Sequence, residues 1–341
     1  MHIGVNLNNR EALIAPNYDI PALLDLATTV EELGFDSIWV GDSLFSKPRY
    51  EPLSLLSAIS QRTKTAKLGT ACLVTATRDP LYLALEWATL DVISGGRTIL
   101  GACMGNAGME EGVRREYAAV GLDHKQRATI FEEGLQVLRA LWTEGRVSFD
   151  GRHFHYDDIA FHSGTEPAPI LPIQKPPPMW VVSNPRMIHG LKETTLKRNI
   201  DRASQRIARH GDGWLTCCRA KHSTELVEQL VAIRHARDAE GKSMYGFSVA
   251  YQVTMNVADS EDQARAGLDE YIAAYYPEMT KAGTVDLDQW GPVGTPDRIA
   301  QWFEEFAAAG VTHFVCRFGA LDQPQQVDRF ARDVLPRLRS T

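Results

Sequence analysis

Residues 94–105 read SGGRTILGACMG, and this stretch carries the clearest indication of how the chain folds. A helical pattern ends at Gly95, a short apolar run follows, and Gly101 and Gly105 lie at its end. A helix, a glycine stop and a buried strand in this order are typical of a βα repeat around a parallel sheet. The spacing of the glycines differs from G-x-G-x-x-G, and no Gly-Lys-Ser/Thr follows. The stretch therefore predicts neither a dinucleotide fingerprint nor a P-loop.

The same alternation continues along the chain. Eight apolar or β-branched runs are predicted to be strands, at residues 2–7, 37–42, 67–74, 98–105, 179–184, 213–218, 247–257 and 313–318. Between them lie helical patterns such as YLALEWATLDVI and ATIFEEGLQVLRALW, which stop before glycines. A length of 341 residues suits either one barrel or two domains. Eight strands alternating with helices favour a single TIM-barrel-like (β/α)8 domain of the α/β class over residues 1–341.

Two segments interrupt this rhythm. Residues 148–178 are rich in proline and have no helical period, and residues 259–294 read as a helix followed by a loop. Long insertions in a compact domain are usually binding loops or lids, and aromatic residues are scattered through both segments. We expect both to be lids, with 148–178 crossing the C-terminal mouth of the barrel.

Composition and charge narrow the class of partner. Hydrophobic residues make up 44% of the chain and charged residues 23%, which is ordinary for a globular protein with a large core. The net charge of -7 argues against a nucleic acid or an anionic membrane as partner, because both require a concentrated basic face. A small-molecule substrate is the expected partner.

The cysteines and the first residues bear on the compartment. The five cysteines (Cys72, Cys103, Cys217, Cys218 and Cys316) lack C-x-x-C spacing and mostly fall within predicted strands. They are predicted to be reduced, buried thiols. The opening MHIGVNLNN turns polar after a few residues, unlike a signal peptide, and we expect a cytoplasmic protein.

Eight pieces of the sequence, in order, resemble the bacterial-luciferase-like flavin-dependent oxidoreductases. They are EELGFDSIWVGD, KLGTACLV, WATLDVISGGRTILGACMG, EYAAVG, FEEGLQVLRALWTEGRVSFDGRHF, PPPMWVVSN, ARHGDGWLT and VGTPDRIAQWFEEFAAAGVTHFV. Each piece is weak alone, but together they cover almost the whole chain. The resemblance implies a TIM-barrel-like fold with FMN or the deazaflavin F420 lying across the C-terminal mouth.

The resemblance also implies where the cofactor ring is held. Gly105 and Asn106 follow the fourth strand, where glycine lets the main chain approach a flat ring. Cys103 falls where luciferases carry a cysteine near the reactive edge of the flavin, although a packed core residue is an equal alternative. Ala71 and Cys72 fall where many members have a cis peptide bond that does not precede proline, with an ordinary trans strand as the alternative.

Asp42 is the expected catalytic acid or base. It ends the second strand in WVGD, where the relatives place a histidine, aspartate or glutamate beside the cofactor. Position at the carboxyl end of a barrel strand favours a catalytic role over a capping one. Luciferases themselves favour histidine at this place, so their acid-base chemistry is not transferred directly.

The phosphate of FMN is expected after the fifth strand. Ser183 and Asn184 in VVSNP match family residues that hold it through hydroxyl and amide donors, although Ser-Asn-Pro is also turn chemistry. Arg186 is a weaker candidate. Arg198 and Arg202 add cationic side chains downstream, and a solvated helix face is the commoner explanation for them.

Two other chemistries are disfavoured. His153, His155 and His162, together with Asp157 and Asp158, invite a metal interpretation. The histidines alternate with aromatic residues as on a strand edge, and the resemblance implies no metal, so structural histidines are favoured. The sequence contains no nucleophile elbow of a serine hydrolase.

Three functions remain open from the sequence. The first is a monooxygenase that receives reduced FMN from a separate flavin reductase, uses O2 and oxidises a small organic substrate. The second is an F420-dependent oxidoreductase that transfers hydride on the same barrel. The third is a flavin-binding protein without turnover. The helix pattern EPLSLLSAI is either core or the interface of a homodimer.

Overall fold

The computed structural model describes residues 1–10, 19–45, 47–105, 111–161, 170–185, 191–217, 222–281, 283 and 286–339. The strands in these ranges are β1 (His2–Asn6), β2 (Ser37–Val40), β3 (Lys67–Thr70), β4 (Leu73–Val74), β5 (Thr98–Cys103), β6 (Arg146–Asp150), β7 (His155–Ala160), β8 (Met179–Val182), β9 (Gly213–Thr216), β10 (Ser248–Val257), β11 (Val293–Gly294) and β12 (His313–Phe318).

The α-helices in the same ranges alternate with these strands. They are α1 (Ile20–Glu32), α2 (Pro52–Arg62), α3 (Pro80–Ser94), α4 (Glu111–Ala119), α5 (Arg127–Glu144), α6 (Glu193–His210), α7 (Ser223–Ala239), α8 (Glu261–Tyr275), α9 (Pro277–Lys281), α10 (Pro296–Ala308), α11 (Gln323–Asp333) and α12 (Leu335–Arg339). None of the described helices is both long and apolar enough to span a bilayer.

Eight parallel strands close into a barrel. Their order is β10, β12, β1, β2, β3, β5, β8 and β9, and pairing of β9 with β10 closes the ring. The predicted (β/α)8 fold is confirmed, and each predicted strand is found within two residues of its expected ends. The predicted run 67–74 is divided into β3 and β4, because the chain leaves the sheet at Ala71 and Cys72 before pairing again with β5.

Aromatic side chains fill the interior of the barrel. Trp39 stacks on Trp180 with ring centroids 5.2 Å apart, and Trp180 meets the edge of His313 at 4.9 Å. Gly69 makes room for them, since a Cβ at this position would overlap the Trp39 ring. The interior is therefore packed at its amino end, and open space for a ligand is left to the carboxyl end.

The outer helices begin and end at the residues that the sequence pattern indicated. The side chain of Asp79 caps the first turn of α3, Pro80 follows it, and Gly95 ends the helix with φ +72°. Helix α10 buries Trp302, Phe303 and Phe306 against the outside of the barrel. A side-chain cap fixes where helices such as α3 and α10 begin, and their apolar faces pack them on the barrel.

The hairpin of β6 and β7 packs on helix α5. The Glu133 carboxylate of α5 accepts hydrogen bonds from the backbone N–H groups of residues 152–154. Desolvation alone would raise the pKa of Glu133, but these three N–H groups outweigh it and lower that pKa. The hairpin is held along the outer helical layer.

Residues 170–178 lie at the amino end of the barrel. The backbone N–H of Gln174 donates to Asp91, and its side chain donates to Asp91 and to the carbonyl of Thr98, the first residue of β5. The expectation that 148–178 crosses the C-terminal mouth does not hold for residues 170–178, because they return the chain to the amino end, where β8 begins. Residues 162–169 lie outside the described part.

Residues 259–294 do lie at the carboxyl ends of the strands. Helix α8 follows β10, and β11 pairs with the last two residues of that strand. Asn8, just beyond β1, donates to the Tyr271 hydroxyl of α8 at 3.3 Å. The described residues of this segment lie at the mouth as expected, with the predicted helix as α8, and a short helix and a short strand lie within the predicted loop.

Candidate active site

Ala71, Cys72 and Cys103 meet where β3 and β5 end. The peptide bond between Ala71 and Cys72 is cis, as the resemblance implied. The Cys72 thiol lies 2.7 Å from the sulfur of Cys103, the last residue of β5. Hydrogen bonding to Cys103 and burial raise the pKa of Cys72 well above the ordinary range of a thiol, so this thiol stays protonated.

Sequence reasoning placed both cysteines at the mouth but did not predict their contact. The register explains the contact, because Val74 lies beside Cys103 and two residues bring the chain back to Cys72. Cys72, Cys103, Cys217 and Cys316 are free thiols, and Cys218 lies outside the described residues.

Asp42 is anchored at the end of β2. Its Oδ2 atom accepts hydrogen bonds from the backbone N–H of Val74 at 2.9 Å and from Arg78 at 3.1 Å. The Asp42 side chain is 8% exposed, and Arg78 also faces Glu51 at 3.5 Å. A cavity of about 210 Å³ borders Asp42. The carboxylate is thus held rigidly at a small opening of the mouth.

Gly101 and Gly105 of the opening stretch have different physical roles. A Cβ on Gly101 would overlap the carbonyl oxygen of Thr70, so this glycine allows β3 and β5 to approach. Gly105 has φ +69°, a conformation that favours glycine. The preceding carbonyl of Met104 accepts a hydrogen bond from Tyr117 at 2.7 Å. Of these two glycines, Gly105 is the one that shapes the chain at the mouth. Asn106, which was predicted to bind the cofactor, lies outside the described residues.

Asn184 connects the carboxyl ends of β8 and β9. Its Oδ1 accepts hydrogen bonds from the Thr216 hydroxyl at 2.8 Å and from the Cys217 backbone N–H at 2.7 Å. The carbonyl of the neighbouring Ser183 accepts from Trp214 at 3.0 Å. Ser183 and Asn184 are therefore fixed beside each other on the edge of the mouth, while Arg186 lies outside the described residues.

Positively charged side chains gather around aromatic rings on the opposite side of the mouth. The guanidinium groups of Arg10, Arg49 and Arg317 lie 4.7, 5.8 and 5.4 Å from the ring centroid of Tyr275. The Lys47 ammonium lies 4.7 Å from the ring centroid of Tyr276. We call Arg10, Lys47, Arg49 and Arg317 the cationic cluster.

The positive charges of this cluster change the pKa of Tyr276. Burial alone would raise the pKa of Tyr276, but the charges of Arg317, Lys47 and Arg49 outweigh it and lower that pKa. Its hydroxyl accepts a hydrogen bond from Arg317 at 3.1 Å. The mouth is therefore electropositive on this side, although the whole chain is acidic.

Sequence reasoning missed the cationic cluster. Its members come from chain positions more than 300 residues apart, and single-sequence patterns do not show which loops meet. One signal was available in HFVCRF at 313–318, where Arg317 interrupts an apolar strand. A charged residue near the carboxyl end of a barrel strand points toward the site.

The histidines near residue 155 lie away from this mouth. His155 on β7 faces Asp150 at 2.7 Å on an exposed part of the hairpin. His153 contributes its backbone N–H to Glu133, and His162 lies outside the described residues. Among the described side chains no group of three or more His, Cys, Asp or Glu residues is arranged to hold a metal ion.

Several solved structures share this fold. A monooxygenase from Streptomyces bottropensis superposes with a TM-score of 0.77 at 19% identity, over 98% of this chain and 99% of that one. An F420-dependent secondary alcohol dehydrogenase, solved with an F420-acetone adduct, superposes with a TM-score of 0.74 at 20% identity, over 99% of each chain. At these identities the likeness shows the fold.

Curated relatives cover nearly the whole sequence. The F420-dependent glucose-6-phosphate dehydrogenase of Amycolatopsis mediterranei is 24% identical over 93% of this chain and 94% of its own. The enzyme of the same name from Mycolicibacterium smegmatis is 26% identical over 93% and 94%. The family model described as luciferase-like monooxygenase matches residues 1–313. The chain therefore belongs to the luciferase-like monooxygenase family, whose members are oxidoreductases.

Proposed function

We propose that this protein is an F420-dependent oxidoreductase that transfers hydride between the deazaflavin and a small organic substrate. The observation that carries the proposal is the similarity to F420-dependent dehydrogenases, at 24–26% identity over at least 93% of both chains. Hydride transfer is one of the functions that the sequence leaves open, and these relatives support it over oxygenation by reduced FMN.

The mouth contains polar atoms that suit such a ring. Asn6 Oδ1, at the end of β1, and the Thr75 hydroxyl, just beyond β4, are buried without a hydrogen-bond partner. Buried polar atoms normally have partners, so these two are suited to the N–H and C=O groups on the edge of a flavin or deazaflavin. The bound cofactor would supply the hydride chemistry.

The remaining site residues would hold and enclose this ring. Ala71, Cys72, Cys103 and Gly105 form a rigid wall at the ends of β3 and β5, and the protonated Cys72 thiol presents no charge to it. Asn106 stays a candidate from the resemblance.

The cofactor tail is proposed to lie on the far edge of the mouth. Ser183 and Asn184 would hold its phosphate there, with the Asn184 side chain oriented by Thr216. Reduced FMN would place its own phosphate at the same residues, so this assignment holds for both cofactors.

Asp42 is proposed to exchange the proton of the substrate. Hydride transfer from an alcohol carbon requires removal of the hydroxyl proton, and a positioned carboxylate is suited to that step. Arg78 and the Val74 N–H orient Asp42 beside the cavity at the mouth. Residues 259–294 would limit access of water to the site, as expected of a lid.

A second candidate function is a monooxygenase that uses reduced FMN and O2. The description of the family model, luciferase-like monooxygenase, supports it. It would require a flavin reductase as a transient partner. Both functions would use the same mouth, and they differ in the need for oxygen.

An anaerobic assay tests the proposal. Purified protein is incubated with oxidised F420 and a panel of alcohols and sugar phosphates, and loss of deazaflavin absorbance is followed. The matched assay supplies FMN, a flavin reductase, NADH, O2 and the same panel. We expect substrate-dependent F420 reduction without oxygen. Oxygenated product formed only with reduced FMN and O2 would contradict the proposal and favour the second candidate.

A further inference from the structure

We propose that the cationic cluster is a binding site for an oxyanion, a phosphate or a carboxylate, carried by the substrate. This inference rests on the proposed function, because it assigns the substrate class of the same mouth. It is carried by the placement of four cationic side chains on three consecutive barrel strands and the loops that follow them.

Arg317 is the centre of the site. It is 8% exposed, lies one residue before the end of β12, and donates through Nε to the Thr254 hydroxyl at 2.9 Å and through Nη1 to the Tyr276 hydroxyl at 3.1 Å. Neither partner is a carboxylate, although the surrounding cations lower the pKa of the Tyr276 hydroxyl. A buried charge normally has a counter-ion, because burial of a lone charge is costly.

Aromatic rings provide part of the missing compensation. The Arg317 guanidinium lies 5.4 Å from the centroid of Tyr275, 5.8 Å from that of Tyr276 and 5.5 Å from that of Trp290. Cation–π contacts of this kind contribute about 0.5–2 kcal/mol each, but an aromatic ring carries no net charge. The rings therefore hold the cation in place without neutralising it.

Two of the neighbouring cations, Arg10 and Lys47, also lack a carboxylate partner among the described residues. Within the described ranges, no carboxylate forms an ion pair with Arg10, Lys47 or Arg317. Asp42 and Glu51, which lie on the same side of the mouth, both pair with Arg78 instead. The Arg10 Nη1 atom is buried and has no hydrogen-bond partner. A buried donor of this kind, on a side chain of the cationic cluster, is suited to an anionic acceptor.

The position of the cluster favours the substrate over the cofactor tail. Strands β12, β1 and β2 are neighbours in the barrel, and β8, which carries the proposed phosphate site at Ser183 and Asn184, is four strands away from β1. A cofactor with its phosphate beside β8 leaves the cluster on the far side of the mouth. An oxyanion on the substrate would bind there and orient its reacting carbon toward the ring.

Binding of inorganic phosphate tests the site without relying on turnover. Isothermal titration calorimetry with the full chain should show one phosphate bound, with an affinity that falls as NaCl is added. Lys47→Met and Arg10→Met should each weaken phosphate binding about tenfold, equivalent to about 1.4 kcal/mol. Arg332→Met is the matched control, because Arg332 is exposed on α11 and paired with Asp333. Arg317→Lys is a further variant that keeps the charge but loses the planar fork.

The outcomes separate the possible sources of the anion. We expect phosphate to bind equally well to protein loaded with F420 or FMN, and Lys47→Met to leave the affinity for the cofactor unchanged. Displacement of phosphate by the cofactor would overturn the assignment to substrate and give the cluster to the cofactor tail. Absence of phosphate binding, or binding insensitive to Lys47→Met and Arg10→Met, would overturn the site. F420 binding is measured separately, so either failure leaves the proposed function intact.

Discussion

Gly105 controls the backbone at the mouth through its conformation. Its φ of +69° costs an L-residue with a side chain roughly 1–2 kcal/mol, and more if the side chain is β-branched. A Cβ there would meet Val74 and Tyr117 only at ordinary contact distances of 3.4–3.5 Å. We therefore expect Gly105→Val to lower stability and cofactor affinity together, because it moves the chain beside Cys103.

Gly105→Asn is the matched control, since asparagine tolerates the left-handed region. Chemical denaturation and cofactor titration of both variants make the comparison. If Gly105→Val kept the stability and the cofactor affinity of the wild type, the conformational role of Gly105 would be refuted.

Asp42 is the residue whose chemistry most needs a direct test. If it exchanges the substrate proton, Asp42→Asn should lower kcat about 10²- to 10⁴-fold while leaving cofactor affinity nearly unchanged. Glu51→Gln is the control, because Glu51 is the other carboxylate on Arg78 and has no proposed proton role. Equal, small losses in both variants would make Asp42 a positioning residue for Arg78 and Val74.

Residue-level prediction succeeded where a local pattern carried the information. Ala71 and Cys72 were located from a short motif, and the structure has the cis bond there. The contact of Cys72 with Cys103, and the approach of Arg10 and Arg317 to Tyr275, depend on which strand ends meet. That information lies in the tertiary structure and not in a window of sequence.

Arg97 shows how single side chains hold neighbouring elements together. It is buried at the start of β5 and donates to the carbonyls of Ser60, Thr63, Ala66 and Ser94, which end α2 and α3 or follow them. Arg97→Met would leave these buried acceptors without donors, at about 1–3 kcal/mol for each that water does not reach.

We expect Arg97→Met to lower the free energy of unfolding by at least about 3 kcal/mol, measured by urea denaturation. Lys67→Met at the exposed end of β3 is the control and should change it by less than about 0.5 kcal/mol. Because Arg97 lies at the end of the barrel opposite the site, the folded Arg97→Met protein should retain cofactor affinity. A loss of stability no larger than the control would contradict the role of Arg97.

The elements were predictable, but their placement was less so. Capping residues and apolar periodicity indicated helices such as α3 and α10 correctly. Composition identifies 148–178 as an insertion without giving its direction, and residues 170–178 lie at the amino end of the barrel and not over the mouth. Its anchors, the carboxylates of Glu133 on α5 and Asp91 on α3, are distant in sequence from the parts that they hold.

At the scale of the molecule, the amino end of the barrel makes stability depend on pH. Burial, followed by the charge of neighbouring His2, lowers the pKa of His313 from 6.5 to about 4. Above pH 6.5 this histidine is neutral in both states and its packing is fully retained. Between pH 6.5 and 4 the unfolded chain binds a proton that the folded protein does not, so stability falls with falling pH.

Between these two pKa values, the free energy of unfolding falls by up to about 1.4 kcal/mol for each pH unit. Urea denaturation at pH 7 and pH 4.5 should therefore show a drop that is smaller by roughly 2–3 kcal/mol in His313→Phe, which keeps a ring against Trp180. His235→Gln on the exposed face of α7 should drop like the wild type. An identical drop in all three proteins would remove His313 as the cause.

The barrel itself was predictable because it repeats one rule eight times. Each buried run is separated from the next by at least one helix, so errors of a few residues at the strand ends leave the topology unchanged. The residues at the mouth each occur at a single position, and no repeated pattern in the sequence indicates them.

The cofactor preference of the purified chain tests the proposed F420-dependent function most directly. The purified chain is titrated with F420 and, separately, with FMN under identical anaerobic conditions, and binding is followed by quenching of cofactor fluorescence. We expect saturable binding of F420 that is at least about tenfold tighter than that of FMN, a difference of about 1.4 kcal/mol in binding free energy. Tight binding of FMN with no detectable binding of F420 would contradict it.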